Sequence, residues 1–128
     1  MNRIMTDMDK VARLADEFAE CEDLLFTLGD RTRLHLIVQM MRMGECNGLR
    51  VGEITERTDL SRPAVSHHLQ IMKDSGLVKV RREGTRNYYY FDPEMAAFAR
   101  LVDALRLAME IAAELPDRSG SASGDSEE

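Results

Sequence analysis

Residues 60–91 constrain the fold more than any other stretch of this chain, because they combine a capped helix with a hairpin pattern. Ser61 is a good N-cap residue, and the proline two positions later is tolerated in a first helical turn, where backbone amides lack helical partners. Val65, Leu69 and Met72 recur at spacings of four and three residues, which places them on one side of a helix. The pattern predicts a short helix that is buried along that side.

The residues that follow predict a two-stranded antiparallel hairpin. Gly76 supplies the left-handed backbone conformation that ends a helix. Residues 77–81 alternate like a strand, residues 83–85 are typical of a turn, and residues 88–91 are aromatic and predict the return strand. A helix with a polar outer face beside an arginine-rich hairpin is typical of an element that reads DNA.

Positive charge is concentrated in the same segment. The whole chain has a formal net charge of −6, from 17 Lys and Arg against 23 Asp and Glu. Residues 61–91 instead carry six cations and only two anions. The cations are Arg62, Lys73, Lys79, Arg81, Arg82 and Arg86. The average charge therefore hides a basic surface on an otherwise anionic body, which favours contacts between that surface and phosphate groups.

Length and composition bound the remaining possibilities. A chain of 128 residues supports one compact domain, and its nine methionines and absence of tryptophan predict helices packed through aliphatic side chains. No apolar run approaches the roughly 18 residues of a membrane span, and the sequence does not open with a signal-peptide pattern. Two cysteines are too few for a secreted disulfide framework. We therefore expect a cytoplasmic protein that has no membrane partner.

Helical periodicity predicts further elements before the central segment. One helix is expected over residues 7–29, and a second follows Asp30, which is an N-cap candidate. The predicted buried stripe of that second helix is Leu34, Ile37, Val38 and Met41. Residues 49–51 are expected to form a short strand that pairs with the hairpin, and residues 52–58 a third, short helix. Two short helices around a tight turn meet the requirement of a helix-turn-helix.

The last helix is predicted to follow Asp92, an N-cap candidate whose next residue, Pro93, repeats the first-turn proline signal. Residues 1–6 are expected to fray, as termini without partners do. Residues 7–115 are expected to form one winged helix-turn-helix domain for DNA binding and dimerisation. Residues 116–128 lack apolar anchors and are expected to be a disordered acidic tail.

Two runs of sequence, LGDRTRLHLIVQMM and VGEITERTDLSRPAVSHHLQIMKDSGLVKVRREGTRNYYYF, resemble the arsenical-resistance-repressor (ArsR) family of bacterial winged-helix regulators. The most specific part is LSRPAVSHHLQIMKDSGLVKVRREG, because helix formation in general does not demand adjacent histidines followed by this hairpin. The resemblance covers about residues 22–112. It implies a mainly α (α+β) winged helix-turn-helix fold in the order helix, helix, helix, helix, hairpin, helix, with a homodimer formed through the first and last helices.

The resemblance also implies a dimeric repressor that binds an imperfectly palindromic operator in double-stranded DNA and leaves it when an inducer binds. By this similarity the residues at the major groove would be Arg62, Pro63, Ser66, His67 and Gln70. The wing residues on the phosphate backbone or in the minor groove would be Arg81, Arg82, Thr85 and Arg86. Gln70 stands where relatives often carry a lysine, so one phosphate contact is expected to be missing.

Each assignment has a structural alternative. His67 could be a helix-surface residue without a role, and His68 is expected to be packed or to cap. Most of the aromatic run at 88–91 is expected to pack under the wing, and the wing arginines could simply protect an edge strand from aggregation. The first and last helices could fold back on a monomer instead of forming the dimer interface.

The sequence does not identify the inducer. Family members that bind soft metals use paired thiolates in the third helix, whereas residues 49–54 here contain no cysteine. A second type of family site needs histidine in the last helix, which has none. Neither recognised metal site is present, and no cofactor is expected. Cys21 and Cys46 could form a redox pair or part of an arsenite site, or could have no function.

Two other classes of function deserve comparison. An enzyme is not expected, because Ser66 and His67 are adjacent on one helix and their side chains diverge. A winged-helix protein-interaction module that does not bind DNA is the more serious alternative, given the net charge of −6. The salt dependence of duplex binding distinguishes these classes, because phosphate contacts weaken steeply as salt rises.

Overall fold

The computed structural model of the protein describes residues 7–120. Within that range the chain forms six helices and one two-stranded hairpin. Their bounds are α1 Asp7–Glu20, α2 Glu22–Gly29, α3 Arg31–Met43, α4 Val51–Glu56, α5 Arg62–Asp74, β1 Val78–Glu83, β2 Arg86–Phe91 and α6 Met95–Glu114. The predicted winged helix-turn-helix architecture is confirmed, with one helix more than predicted. None of these six helices has the length and apolar character needed to cross a membrane.

The predicted single helix over residues 7–29 is wrong, because the chain bends at Cys21 and forms α1 and α2. The Cys21 N–H donates to the Phe18 carbonyl at 3.0 Å, which is the tighter turn of a 3₁₀-helix. α1 packs against α6, whereas α2 packs against α3. α1 and α2 therefore run in different directions, each toward its own packing partner. The small Cys21 side chain is buried at the bend between them.

The core of the winged unit, which we define as α3 to β2, lies between α3, α4, α5 and the start of β1. Its buried side chains are Leu36, Ile37, Met40, Leu49, Ile54, Val65, Leu69, Met72, Leu77 and Val78. α3 begins at the predicted cap, where the Asp30 carboxylate accepts the Arg33 N–H at 2.8 Å. It ends at Gly44, whose φ of 71° is left-handed.

The buried face of α3 differs from the predicted stripe. Leu34 and Met41 are 44% and 61% exposed, whereas Leu36 and Met40 are buried beside Ile37. Apolar residues occupy both sides of this helix, so periodicity alone could not select the buried side. The outer apolar side lines an open cleft of about 660 Å³ between α3 and the turn that precedes α5.

α5 forms as predicted. The Ser61 hydroxyl accepts the Ala64 N–H at 3.2 Å and caps the helix. Val65, Leu69 and Met72 are all fully buried. Burying aliphatic side chains of this size contributes roughly 1.5–3 kcal/mol each, so this stripe fixes the helix against the core.

The last helix begins two residues later than predicted, because its N-cap is Glu94 instead of Asp92 and its first residue is Met95. The backbone before it is bonded to the connection between α5 and β1. The Asp92 N–H donates to the Leu77 carbonyl at 3.1 Å, and the Glu94 N–H donates to the Gly76 carbonyl at 2.9 Å. Gly76 has a φ of 81°, and a Cβ there would lie 2.5 Å from Cγ of Glu94. Both the backbone conformation and the available space therefore require glycine.

The hairpin forms as predicted, but β1 continues to Glu83 and β2 already begins at Arg86, so the turn is shorter than residues 83–85. β1 and β2 pair antiparallel from Val78 opposite Phe91 to Glu83 opposite Arg86. The turn between them contains Gly84, whose φ of 63° is left-handed. We call this hairpin the wing.

The strand predicted over residues 49–51 is reduced to one bridge. Leu49 and Tyr89 exchange two backbone hydrogen bonds of 2.8 Å. Val51 already belongs to α4, which ends at Glu56 and is shorter than predicted. The loop before α4 is nevertheless fastened to β2 by this bridge.

α1 and α6, which we call the terminal pair, pack against each other within the chain. Lys10 on α1 lies 3.0 Å from a carboxylate oxygen of Glu110 and 2.8 Å from one of Glu114. The buried side chains of α6 are Ala104, Leu107 and Ile111. Residues 116–120 contain no helix or strand. The predicted frayed residues 1–6, and residues 121–128 of the predicted tail, lie outside the range that the structure describes.

Candidate nucleic-acid interface

The outer face of α5 carries the polar residues that the sequence singled out. Arg62, Pro63, Ser66, His67 and Gln70 are all exposed, opposite the buried stripe of the same helix. The wing follows α5 after only residues 75–77. The structure therefore presents a solvent-facing polar helix surface directly beside the hairpin.

Two of these side chains already have neighbours within the protein. Gln70 donates to Asp74 at 2.9 Å, one turn along the same helix. The Arg62 guanidinium lies over Gly52, where a Cβ would be 3.3 Å from its Nη1. Both residues would have to rotate to reach a base edge, whereas Ser66 and His67 are exposed without such contacts among the hydrogen bonds and ion pairs of residues 7–120.

The wing arginines differ from one another in their surroundings. Arg81 is half-buried, donates to the Asn47 carbonyl and to the Glu83 carboxylate, each at 2.7 Å, and lies 5.0 Å from the ring centre of Tyr88. Arg82 donates to the Gly84 carbonyl at 3.0 Å within the turn. Arg81 therefore anchors the wing to the loop before α4, while the tip residues Arg82, Thr85 and Arg86 are exposed.

Ion pairing divides the six cations of residues 61–91. Lys79 pairs with Asp92 at 3.2 Å and with Glu94 at 3.7 Å. Its hydrogen bond to Asp92 is the main cause that raises the pKa of Lys79. Within residues 7–120, four of the six cations make no ion pair. These are Arg62, Lys73, Arg82 and Arg86. They are the positive charges of this segment that are available to phosphate.

His68 is packed against the protein, which is one of the two positions that the sequence favoured. Its ring is half-buried, and Nδ1 lies 3.2 Å from Nη1 of Arg33 on α3. Burial is the main cause that lowers the pKa of His68, and the Arg33 charge lowers it further. His68 therefore points inward from α5 while its neighbour His67 is exposed.

Arg33 is a residue that the sequence analysis missed. Only 2% of its surface is exposed, and its guanidinium donates at 2.8 Å to each of the carbonyls of Phe26 and Thr27. The same guanidinium lies 4.9 Å from the ring centre of Phe26. Arg33 lies on the buried side of α3, three residues before Leu36. An arginine in line with apolar residues is the sequence signal that could have identified it.

The two cysteines have different environments. Cys21 is buried at the bend between α1 and α2, whereas Cys46 is exposed in the loop that follows α3. Both are free thiols. Within residues 7–120, no group of three or more His, Cys, Asp or Glu side chains is placed to hold a metal ion. His35, on the outer side of α3, is exposed.

Sequence comparisons match this chain to known regulators. A family described as bacterial regulatory protein, arsR family, matches residues 30–80. An uncharacterized HTH-type transcriptional regulator of Methanocaldococcus jannaschii is 33% identical over 91 residues, which are 70% of this chain and 99% of that protein. The arsenical resistance operon repressor of Escherichia coli is 32% identical over 77 residues, 59% of this chain and 63% of the repressor. An HTH-type transcriptional regulator of Mycobacterium tuberculosis is 42% identical over 73 residues, 57% of this chain and 64% of that protein.

The chain is also similar to solved structures of transcriptional regulators. A possible transcriptional regulator for arsenical resistance superposes with a TM-score of 0.53 at 30% identity, over 73% of this chain and 98% of its own. Reduced HlyU from Vibrio cholerae superposes with a TM-score of 0.52 at 28% identity, over 70% of this chain and 90% of its own. An ArsR family transcriptional regulator superposes with a TM-score of 0.60 at 18% identity, over 77% of this chain and 95% of its own, and supports the fold alone.

Proposed function

The chain belongs to the ArsR family of bacterial regulatory proteins, and on that premise we propose that this DNA-binding transcriptional regulator reads its operator with the outer face of α5. The observation that carries the proposal is the division of α5 into two faces. Val65, Leu69 and Met72 are fully buried, while the polar side chains opposite them face solvent. A helix fixed by its apolar stripe can present those side chains to the major groove without losing its packing.

Each exposed residue of α5 has a chemical role in this proposal. Arg62 can donate a bidentate pair of hydrogen bonds to guanine, and Ser66 and His67 can bond a base edge or a phosphate. Pro63 offers an apolar contact of the kind that distinguishes the thymine methyl group. Gln70 would contribute after releasing Asp74. Base preference is therefore assigned to the first two turns of α5.

The wing supplies affinity in this proposal. Arg82 and Arg86 contact phosphates or enter the minor groove, and the exposed Thr85 can bond a phosphate oxygen. Arg81 contributes indirectly, because its bond to the Asn47 carbonyl ties the wing to the loop before α4. This refines the predicted site, in which all three arginines were equivalent.

We also propose that residues 7–115 function as a homodimer through the terminal pair. Large apolar side chains on α1 and α6 are between 44% and 80% exposed. They are Met8, Val11, Met95, Val102, Leu105 and Met109. A two-fold dimer would place its two α5 helices about one DNA turn apart, roughly 34–36 Å, so the operator is expected to be an imperfect palindrome.

We also propose how the protein regulates transcription. The protein is proposed to act as a repressor in the cytoplasm, with release from the operator when an inducer binds. Relatives named as an arsenical resistance operon repressor and a biofilm growth-associated repressor support the repression. No cofactor is assigned. The alternatives of an interaction module without DNA binding, or a thiol sensor built on Cys21 and Cys46, gain no specific support within residues 7–120.

The test is duplex binding by fluorescence anisotropy, with an operator selected from random DNA, over a range of salt concentrations. The logarithm of affinity is expected to fall linearly with the logarithm of salt, with a slope near −0.9 for each phosphate contacted. Arg86→Ala should weaken binding to all duplexes alike and reduce the magnitude of the slope by about one contact for each subunit. Arg13→Ala, on α1 and paired with Glu17, is the matched control and should change neither quantity. Absence of binding at low salt would favour the interaction module.

A further inference from the structure

We propose that Arg33 and His68 are positioning residues that hold α5 in its DNA-reading orientation, and that their contact requires a neutral His68, so that acid weakens DNA binding. The inference rests on the proposed role of α5 in reading DNA. It adds a residue pair that does not itself contact DNA, and a proton as the ligand that regulates the reading helix.

One guanidinium joins three elements at this point. Arg33 belongs to α3, its Nε and Nη2 donate at 2.8 Å to the Thr27 and Phe26 carbonyls of α2, and its Nη1 reaches His68 of α5 at 3.2 Å. The two carbonyls lie in the last turn of α2, where helical carbonyls lack helical partners. The side chain is also buried, with 2% of the residue exposed. The contact is therefore fixed on the Arg33 side, and α5 is the element that it positions.

The chemistry of the pair determines the protonation state. A guanidinium has only donors, so Nδ1 of His68 must accept and the ring proton must lie on Nε2. An imidazolium carries protons on both nitrogens and has no acceptor left. Protonation of His68 would therefore abolish the hydrogen bond to Arg33 and set two cations against each other.

The charges around His68 act in both directions. Asp30, the cap of α3, attracts a proton to His68, whereas burial, Arg33 and the neighbouring His67 oppose it. The net result is a pKa for His68 below its usual value. Asp23 of α2 and Asp74 of α5 line the adjoining cleft between these two helices, and Asp74 already accepts from Gln70. Burial, the Arg33 charge and the hydrogen-bond geometry therefore favour the neutral ring.

His68 can transmit this change because of its place on α5. It follows His67 and Ser66 directly, and it precedes the fully buried Leu69. Because two carbonyls hold the Arg33 guanidinium, the repulsion displaces His68 and with it the adjoining Ser66 and His67, which are the proposed base-reading side chains. An exposed imidazole that touched DNA would behave in the opposite way, because added positive charge attracts phosphate. Loss of affinity in acid is thus the signature of the inward-facing histidine.

The experiment measures affinity for the selected operator from pH 8 to pH 5.5 at constant salt. Asn is the conservative replacement, because its side-chain oxygen can accept from Arg33 near the position of Nδ1 but does not titrate. We expect the affinity of the wild type to fall as the pH is lowered through the pKa of His68, by at most tenfold per pH unit for each linked proton. His68→Asn should keep most of the affinity at neutral pH and lose the acid-dependent fall. His35→Asn, on the exposed outer side of α3, is the matched control and should keep that fall.

Three results would overturn the inference. The first is the same pH profile for the wild type and His68→Asn. The second is full affinity at neutral pH for His68→Leu, which lacks the acceptor but remains folded by circular dichroism. The third needs no variant: NMR titration of the wild-type imidazoles should give a lower pKa for His68 when DNA is bound, and an unchanged or higher value would contradict the linkage. If the wild type bound no duplex even at low salt, the proposed function would fail as well, whereas binding without this pH profile defeats the inference alone.

Discussion

The winged unit and the terminal pair bury their apolar side chains to very different extents. In the winged unit Val65, Leu69 and Met72 of α5 are completely buried. In the terminal pair Leu105 and Met109 of α6 are 48% and 72% exposed, although α1 and α6 pack against each other. Apolar surface that is left in water forfeits roughly 25 cal/mol for each Å² that a partner could cover.

The difference shows that the two regions complete their apolar packing in different ways. The winged unit completes its core within one chain and leaves polar side chains outside. The terminal pair completes only the side where α1 and α6 meet and presents a second apolar side, as helices that join two subunits do. The comparison predicts that substitutions in the first region change folding, whereas substitutions in the second change association.

The largest effect is expected from Leu69→Ala in the winged unit. The side chain is fully buried, so its truncation should reduce the free energy of unfolding by about 2–5 kcal/mol through lost burial and the cavity left behind. Urea denaturation followed by circular dichroism measures this. Leu105→Ala is the matched deletion in the terminal pair and should cost about 1 kcal/mol or less at low protein concentration. Equal effects would remove the distinction between the regions.

A charge on the outer side of α6 should break association without unfolding the chain. Leu105→Glu is expected to weaken self-association by about 2 kcal/mol or more, as at a buried interface position, which is roughly 30-fold in the dissociation constant. Sedimentation equilibrium measures the change. Leu34→Glu places the same charge on a leucine of α3 that is 44% exposed and should leave association unchanged. A reversed pattern would move the interface from the terminal pair to the outer side of α3.

Arg62→Ala tests whether the winged unit uses its polar face to select a sequence. If Arg62 forms a bidentate pair with guanine, its loss should reduce discrimination at that base pair by about 1–3 kcal/mol. Competition between the operator and single-base variants measures discrimination directly. Arg82→Ala, on the wing, should instead lower affinity for every variant alike. Equal loss across all variants for Arg62→Ala would assign Arg62 to phosphate binding.

The smallest effect is expected from acid acting on stability at the junction of α2, α3 and α5. The pKa of His68 is lowered by folding, so the unfolded chain binds a proton more readily than the folded chain. Stability is therefore complete above the ordinary histidine pKa of about 6.5 and declines as pH falls through the lower pKa of the folded state. Between pH 7 and pH 5 the melting temperature of the wild type should fall more than that of His68→Asn. Equal falls would assign the loss to other groups.

Local signals account for the parts of the fold that were predicted well. The Ser61 cap, the left-handed Gly76 and the alternation that marks β1 each depend on residues close in sequence, and each is confirmed. The failures depend on distant partners. Helical periodicity continues through Cys21, yet the chain bends there because α1 and α2 pack on different helices.

The candidate site shows the same division. The exposed face of α5 could be listed from helical spacing alone, because the buried stripe defines its opposite side. The different surroundings of Arg81 and Arg86 could not be predicted in this way. Arg81 is held by the Asn47 carbonyl, and helical or strand spacing does not show where that carbonyl lies. Arg33 was missed for a related reason, since its partners lie on α2 and α5.

The bridge between Leu49 and Tyr89 has a consequence for the shape of the operator. Together with the bond from Arg81 to Asn47, it ties β2 and β1 to the loop that leads into the helix-turn-helix. The hairpin is thus fixed at two points, and in the proposed complex it would meet the duplex at a set offset from α5. Consider an operator with one extra base pair between the bases contacted by α5 and the flanking base step contacted by the hairpin. In that operator the helix and the hairpin would no longer match their sites together, and the fixed hairpin could not bend to restore the match.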